Sequence, residues 1–265
     1  MKVKIVVLVD NTATQDFLAE YGFSAYLEIS GEEEIGILFD TGSGKVLESN
    51  MLQAGIDWND IDLVILSHRH FDHTGGLVKV LENRKVPVIA HPHIFKPNFS
   101  LNKNFRDIGL PYPKALLELK GAKFVLIKEP MKILENAIIS GEIPGKRENH
   151  FFTIENGKIV KDFMLDDMAL YIKSKNGTVV LTGCSHAGIL NIINYGKNLI
   201  GNVDFVIGGL HLSFFSTKKA YEISEKLLKE VKAVAPLHCS GEIIKASALE
   251  KGKLLPYGAG IKFKF

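Results

Sequence analysis

The stretch SHRHFDHTGG, residues 67–76, is the part of the chain around which the fold is predicted. Three histidines and one aspartate lie within six of its residues, directly after the apolar run DLVIL at 62–66. A short apolar run bounded by polar residues predicts a buried strand, and the pattern LVKVL at 77–81 predicts a helix. Four candidate metal ligands therefore lie on a tight turn between two rigid elements, as a preorganised metal site requires.

The composition is that of an ordinary globular protein. The chain has 265 residues, of which 46% are hydrophobic and 23% are charged, and this length suffices for a full core. Two cysteines in such a chain do not form a disulfide framework. The N-terminal apolar run is too short for a signal peptide, and no run approaches the roughly 18 residues of a membrane-spanning helix. We therefore expect a cytoplasmic protein without a membrane partner.

The charge argues against a nucleic-acid partner. The formal net charge is +2, and 28 of the 32 basic residues are lysine. The chain therefore offers neither a strong positive field nor a guanidinium-rich face for phosphodiesters. We expect a small-molecule substrate instead.

The order of apolar patterns predicts two sheets packed face to face with helices outside, which is a four-layer αββα sandwich of the α/β class. Strands are predicted at 3–9, 22–29, 35–39, 62–66, 86–90, 123–127, 133–140, 151–154, 169–173, 179–182, 205–207, 233–235 and 261–263. Helices are predicted at 46–52, 77–81, 189–199, 217–231 and 242–249. No linker divides the chain, so we expect a single domain over residues 1–265.

The periodicity breaks down from residue 91 to about residue 120, where aromatic residues and prolines are frequent. A long irregular segment within a compact fold is typical of a lid or a binding loop, and the aromatics favour an ordered cover. The segment carries four bases, Lys96, Lys103, Arg106 and Lys114. We predict that Arg106 binds an anionic substrate, with a solvated basic loop as the alternative.

The spacing of His68, His70, Asp72 and His73 follows the pattern His-x-His-x-Asp-His. In this pattern the chain resembles the metallo-β-lactamase superfamily. The resemblance extends along the chain to Asp40 in FDTG, to His186 in TGCSH and to His238 in HCSG. It implies an αββα sandwich with a metal site along one edge.

The resemblance also implies how the ligands are shared between metal ions. His68, His70 and a third group would bind one ion, and Asp72, His73 and His238 would bind a second. Imidazole and carboxylate together suit zinc foremost, with manganese or iron as alternatives. Two ions about 3.5–4 Å apart lower the pKa of a shared water and yield a nucleophile at neutral pH. We expect one or two divalent ions.

One position departs from the pattern, and two assignments stay open. Cys184 stands where most members have a bridging aspartate, and it is either a soft metal ligand or a buried thiol; without the carboxylate, a second ion is less assured. The third ligand of the first ion is either His186, which we favour, or Asp166 or Asp167 from before the strand. Asp40 either orients a liganding histidine or is a turn acid.

Four further segments narrow the resemblance to one branch of the superfamily. They are GEIP at 141–144, GCSHAGI at 183–189, GGLHL at 208–212 and HCSG at 238–241. They resemble the proteins similar to 7,8-dihydropterin-6-methyl-4-(β-D-ribofuranosyl)-aminobenzene-5'-phosphate synthase. This implies a metal-dependent enzyme that acts on a small phosphorylated or pterin-like substrate. The alternatives are a general metal-dependent hydrolase of esters, lactones or phosphodiesters, and a metal-binding module without turnover.

Two residues are predicted to take part in catalysis. Asp72, or a bound hydroxide, would accept the proton of the attacking group. His211 follows a Gly-Gly turn after a strand, so it should lie at the metal edge and bind substrate phosphate or act as a general acid. A structural histidine is the alternative for His211.

Overall fold

The fold is built from strands that are short and largely buried. The structure, a computed structural model, describes residues 2–31, 34–101, 105–148 and 150–265. The strands are β1 Lys2–Val9, β2 Ser24–Ser30, β3 Glu34–Phe39, β4 Leu63–Ile65, β5 Pro87–Ala90, β6 Phe99–Ser100, β7 Arg106–Asp107, β8 Lys123–Leu126, β9 Met131–Leu134, β10 Ala137–Ile139, β11 Phe151–Glu155, β12 Lys158–Asp162, β13 Ala169–Ser174, β14 Gly177–Thr182, β15 Phe205–Gly209, β16 Ala233–Leu237 and β17 Lys262–Lys264.

The helices flank these strands. The α-helices are α1 Leu47–Ala54, α2 Phe71–Thr74, α3 Leu77–Asn83, α4 Lys114–Leu119, α5 Ile189–Ile200, α6 Thr217–Glu230 and α7 Glu242–Glu250. Short 3-10 helices lie at Trp58–Asp60, Pro92–Phe95 and Leu212–Phe214. No helix in the described ranges is long and apolar enough to cross a membrane.

The strands form two large sheets and one small one. The first sheet has the order β17-β1-β2-β3-β4-β5-β8, the second β16-β15-β14-β13-β10-β9 and the third β12-β11-β6-β7. Strands β3, β4, β5 and β8 run parallel, as do β14, β15 and β16. The remaining neighbours within the two large sheets are antiparallel.

Three hydrophobic clusters separate four layers. The central cluster joins the two sheets and contains side chains such as Ile5 and Leu181. A second cluster packs α1 and α3 on the outer face of the first sheet. A third packs α5, α6 and α7 on the outer face of the second. Because both sheets are covered on both faces, their strands read as near-continuous apolar runs. The predicted αββα sandwich is confirmed, while the assignment of residues 1–265 to one domain stays a prediction.

One predicted strand was wrong, and one strand outside the excursion was missed. The single strand expected at 133–140 is a hairpin of β9 and β10, with Glu135 and Asn136 between the two strands. Strand β12 was missed, although Asn156 and Gly157 before it form the Asn-Gly pair that favours a two-residue hairpin turn. Both residues have positive φ, 50° and 73°, which such a turn requires.

The irregular excursion contains more structure than its sequence indicates. Strands β6 and β7 pair within it, and β6 also pairs with β11 in the third sheet. Helix α4 forms the last part of the excursion, and its Leu117 is buried in the hydrophobic cluster on the outer face of the first sheet. The predicted base Lys103 lies outside the described residues.

Candidate metal centre

The candidate ligands follow the carboxyl ends of strands from both large sheets. Asp40 follows β3, and residues 67–70 follow β4. From the other sheet, residues 183–186 follow β14, His211 comes two residues after β15, and His238 follows β16. Because the carboxyl ends of parallel strands meet at one edge of a sheet, these residues converge although up to 198 positions separate them, from Asp40 to His238.

The backbone at this edge is held in an uncommon conformation. Asp40, Ser185, His211 and His238 have φ of 57°, 62°, 55° and 47°. Residues other than glycine rarely adopt this left-handed backbone conformation, because it costs about 1–3 kcal/mol per residue. Such residues concentrate at functional sites, where surrounding contacts maintain them.

A buried hydrogen-bond network around Asp40 orients two histidines. One oxygen of Asp40 accepts from the backbone N–H of Ser67 at 2.7 Å, and the other accepts from the Ser67 hydroxyl at 2.6 Å. The second oxygen also lies 2.7 Å from Nδ1 of His73. Since the Ser67 hydroxyl donates to Asp40, it accepts from Nδ1 of His68, which lies 2.8 Å away. Both rings therefore carry a proton on Nδ1, which directs Nε2 towards the site, as metal ligation requires.

Gly183 allows the strand end to approach this network. A Cβ at that position would lie 2.1 Å from Oγ of Ser67 and 2.8 Å from Oδ2 of Asp40. A glycine is therefore required where the loop after β14 crosses the Asp40–Ser67 hydrogen bond.

Two groups of ligand atoms lie side by side at this edge. In His68–Cys184–His186 and in His73–Cys184–His238, one ligand atom from each residue lies within 4.8 Å of the others. Cys184 belongs to both groups, with Sγ 3.3 Å from Nε2 of His73. Among the described residues, Nε2 of His68 is buried without a hydrogen-bond partner. A buried lone pair beside thiol and imidazole donors fits a divalent cation.

His70 and Asp72 border these groups. Nε2 of His70 lies 3.0 Å from Oδ1 of Asn98, so this bond places the ring proton on Nε2 and leaves Nδ1 as the lone pair. Oδ2 of Asp72 lies 3.2 Å from Nε2 of His238 and 3.8 Å from Nε2 of His73. The excursion thus contacts the site through Asn98, a residue that no sequence pattern singled out.

Burial and charge set the protonation of these groups. Burial lowers the pKa of His68 well below its usual value and the pKa of His70 to about 4, so both rings are neutral at pH 7. Burial alone would also lower the pKa of His73, but Asp40 and Asp72 outweigh it and raise the value to about 9. Burial would raise the pKa of Asp72, yet His73 and His238 hold it below its usual range. A cation that binds His73 must therefore displace a proton.

The two aspartates before β13 make other contacts. Asp166 accepts from the backbone N–H of Arg69 at 2.9 Å and forms an ion pair with its guanidinium group. Asp162 pairs with the same guanidinium group. Asp167 accepts from the backbone N–H of Ala187 at 2.8 Å. The structure therefore brings His186, and neither Asp166 nor Asp167, into a ligand group with His68; the third ligand stays a prediction.

Asp167 provides a test by pH. Burial raises the pKa of its carboxyl group from the ordinary 3.8 to about 7. Between these values the folded state binds more protons than the unfolded state, so the free energy of unfolding falls as pH rises from about 4 to about 7. We expect Asp167→Asn to remove this part of the pH dependence. Between pH 4 and pH 7 the free energy of unfolding of the variant should rise by a few kcal/mol relative to that of wild type, at about 1.4 kcal/mol per pKa unit. Urea unfolding of both proteins from pH 4 to pH 8 measures it, and parallel curves would contradict the assignment.

Aromatic rings surround the ligand groups. The ring of Tyr21 lies 5.0 Å from that of His238, and the ring of Phe151 lies 4.9 Å from that of His70. Phe214 stacks on His211 at 4.6 Å. Tyr21 and Phe214 are 55% and 60% exposed, so they form the rim of the site. No periodic pattern in the sequence marked these three aromatic residues.

The predicted lid bases lie in different surroundings. Arg106 is exposed on β7, and its charge acts on the hydroxyl group of Tyr21. Lys96 pairs with Glu155 at 2.9 Å, and Lys114 pairs with Glu118 at 3.4 Å. Of the described bases in the excursion, Arg106 is thus linked electrostatically to the rim, and Lys96 and Lys114 have surface partners.

Comparisons with known proteins agree with this geometry. A family model described as the metallo-beta-lactamase superfamily matches residues 21–233. An uncharacterized protein of Methanocaldococcus jannaschii is 37% identical over 242 residues, which are 89% of this chain and 90% of the relative. A second protein of that organism, named 7,8-dihydropterin-6-methyl-4-(beta-D-ribofuranosyl)-aminobenzene-5'-phosphate synthase, is 32% identical over 258 residues, 90% of this chain and 88% of the relative. The crystal structure of a metal-dependent hydrolase of the beta-lactamase superfamily matches with a TM-score of 0.80 and 29% identity, covering 98% of both chains.

Proposed function

The chain belongs to the metallo-β-lactamase superfamily, and on that premise we propose that it is a metal-dependent, hydrolase-like enzyme that acts on a small phosphorylated or pterin-like substrate. The observation that carries the proposal is the pair of buried ligand groups that share Cys184. The superfamily fold, the neutral imidazoles and the lone pair of His68 Nε2 together support a divalent cation there. Zinc fits this mixed nitrogen and sulfur donor set better than magnesium or calcium.

The ligands divide between two positions. His68, His70 and His186 would hold one ion, and Asp72, His73 and His238 would hold another. Bound there, one or two divalent ions would supply a water-derived nucleophile at neutral pH and positive charge for the developing oxyanion.

The side chains of the chain position the reacting groups. Asp40 holds the ring of His73 at 2.7 Å and, through Ser67, the ring of His68. Asp72 stays ionised because His73 and His238 lower the pKa of its carboxyl group. We assign Asp72 as the group that accepts the proton lost by the attacking water. The substrate-binding or general-acid role predicted for His211 stays a prediction.

The rim supports a planar, anionic substrate. Tyr21, Phe151 and Phe214 present ring faces and edges beside the ligand groups, and a heteroaromatic ring stacks favourably on such surfaces. Arg106 is exposed on β7, and its guanidinium group could pair with a phosphate. The synthase name of the relative that is 32% identical supports the same class. We propose a cytoplasmic location, and the net charge of +2 argues against nucleic acid and an anionic membrane surface as partners.

A general hydrolase of esters, lactones or phosphodiesters is the second candidate. It is favoured by the 29% identity to a structure described as a metal-dependent hydrolase. The ligand groups serve both candidates, so the substrate distinguishes them.

Metal removal and replacement tests the proposal. We expect the chelator-treated protein to lose all turnover and to regain it with zinc, manganese or ferrous ion. The substrates are p-nitrophenyl phosphate, bis-p-nitrophenyl phosphate, a lactone series, and an aminobenzene ribofuranosyl phosphate paired with a dihydropterin that carries a leaving group on its 6-methyl carbon. Metal content by mass spectrometry accompanies each assay. Bound metal with no turnover on any substrate would favour a metal-binding module, and a protein that binds no metal would overturn the central claim.

A further inference from the structure

A third group of ligand atoms lies beside the two histidine groups. One ligand atom each from Cys184, His211 and Cys239 lies within 4.8 Å of the others, and all three residues are buried. The two sulfur atoms lie 3.3 Å apart. These residues follow β14, β15 and β16, so three neighbouring parallel strands each supply one donor. The predicted ligand set includes Cys184 as a possible member but neither His211 nor Cys239.

The fold makes room for the two thiols at Gly209. This residue ends the middle strand, β15, and a Cβ there would lie 2.8 Å from Sγ of Cys239 and 3.2 Å from Cα of Cys184. Any side chain at this position would occupy the space where the two sulfur atoms meet across the strand. The backbone N–H of His211 also donates to Sγ of Cys239 at 3.3 Å and holds that thiol towards the site.

His211 carries a buried polar atom that the described residues leave unsatisfied. Its Nδ1 has no hydrogen-bond partner among them, and the residue is 7% exposed. Its ring lies between that of His186, at 4.3 Å, and that of Phe214, at 4.6 Å. A buried imidazole with an unpartnered nitrogen calls for a ligand, because an orphaned polar group has lost its solvation.

Two sulfur atoms and one imidazole are a known donor set for zinc with an open fourth position. Thiolates select zinc and other soft cations over magnesium, calcium or manganese. With a metal–sulfur distance of about 2.3 Å, two sulfurs on one tetrahedral ion lie about 3.8 Å apart, so the present pair needs to separate by about half an ångström. Both thiol protons leave to solvent on binding.

We propose that Cys184, His211 and Cys239 form a thiolate-rich subsite for a zinc-like cation, which the Cys184 thiolate joins to the histidine groups. This inference rests on the proposed function, since Cys184 belongs both to this subsite and to the two ligand groups that support that function. It gives His211 a ligand role instead of the substrate or acid role predicted from sequence. It also supplies negative charge where the bridging aspartate of the family pattern is missing.

Cobalt substitution tests the subsite by a readout that is independent of turnover. The reduced, metal-free protein is loaded with Co²⁺, and its sulfur-to-cobalt absorption and its metal content are measured. We expect Cys239→Ser to lose one equivalent of metal and at least half of the sulfur-to-cobalt absorption, because only Cys184, bound to the ion at the histidine groups, remains as a sulfur ligand. Cys239→Ala should behave alike, and unfolding curves in chelator show that both variants are folded.

Further variants separate this inference from the proposed function. His68→Ala should lose metal from the histidine group but keep the absorption due to Cys239. If Cys239→Ser and Cys239→Ala match wild type in both readouts while His68→Ala loses metal, the subsite is wrong and the histidine centre stands. If wild type binds no cobalt, both proposals fail. A mass lower by two hydrogen atoms before reduction, with no metal at the thiols after reduction, would show a disulfide in place of the subsite.

Discussion

His68→Ala is expected to lower kcat/KM at least about a thousandfold on whichever substrate the enzyme turns over. The ring nitrogen Nε2 is buried without a hydrogen-bond partner among the described residues, and His68 forms a ligand group with Cys184 and His186. Loss of a metal that stabilises transition-state charge removes several kcal/mol, and about 1.4 kcal/mol corresponds to a factor of ten in rate. Steady-state kinetics with metal analysis measures the loss, and the variant should hold close to one equivalent less metal than wild type.

Two further variants provide a control and an intermediate effect for comparison with His68→Ala. His150→Ala removes an exposed histidine and should leave both metal content and rate near wild type. Asp40→Asn keeps every ligand but weakens the bond that orients His73, so we expect metal affinity to fall by about 10- to 100-fold. A His68→Ala protein with wild-type metal content and rate would show that the metal-dependent chemistry lies elsewhere.

Arg69→Met is expected to lower the free energy of unfolding by about 3–5 kcal/mol. Arg69 stands between the candidate ligands His68 and His70 in the sequence, and its side chain is fully buried. Its guanidinium group pairs with Asp162 and Asp166, which are also buried. Removal of the guanidinium group leaves two buried carboxylates without their cationic partner in a low-dielectric interior, which is more costly than the ion pair itself is stabilising. Urea denaturation of the metal-free proteins at pH 7 measures the difference.

A surface pair provides the matched control for Arg69. Lys79 lies 2.9 Å from Glu48 with both side chains about half exposed, and solvent screening limits such pairs to at most about 1 kcal/mol. Lys79→Ala should therefore change the unfolding free energy little. Adding Asp162→Asn and Asp166→Asn to Arg69→Met should recover part of the loss. A loss below 1 kcal/mol for Arg69→Met alone would contradict the role of the unpaired charges.

Local sequence patterns predicted the elements that depend on near neighbours. Apolar runs located most strands and the long helices, because burial on one or both faces leaves a period in the chain. The two errors are also local, because Asn136 and the Asn156–Gly157 pair are turn signals that the apolar pattern does not contain, and that pattern alone predicts one strand at 133–140 and none at β12. Turn residues thus mark both hairpins in the sequence.

The motif in residues 67–76 was itself sufficient to place four candidate ligands together. His68, His70, Asp72 and His73 lie on a strand end and a one-turn helix, so their proximity follows from the local backbone. The family resemblance then added the distant positions, and the αββα fold that it implied is confirmed.

Only the tertiary structure decided how the distant donors combine. The meeting of Cys184 with Cys239 depends on β15 lying between β14 and β16 and on Gly209 having no side chain. The pairing of Arg69 with Asp162 and Asp166 spans 93 and 97 residues. Strand order and loop ends set these contacts, and no local period encodes them. The sequence by itself thus determined the sandwich and the histidine motif, while packing decided which sulfur, imidazole and carboxylate groups share the site.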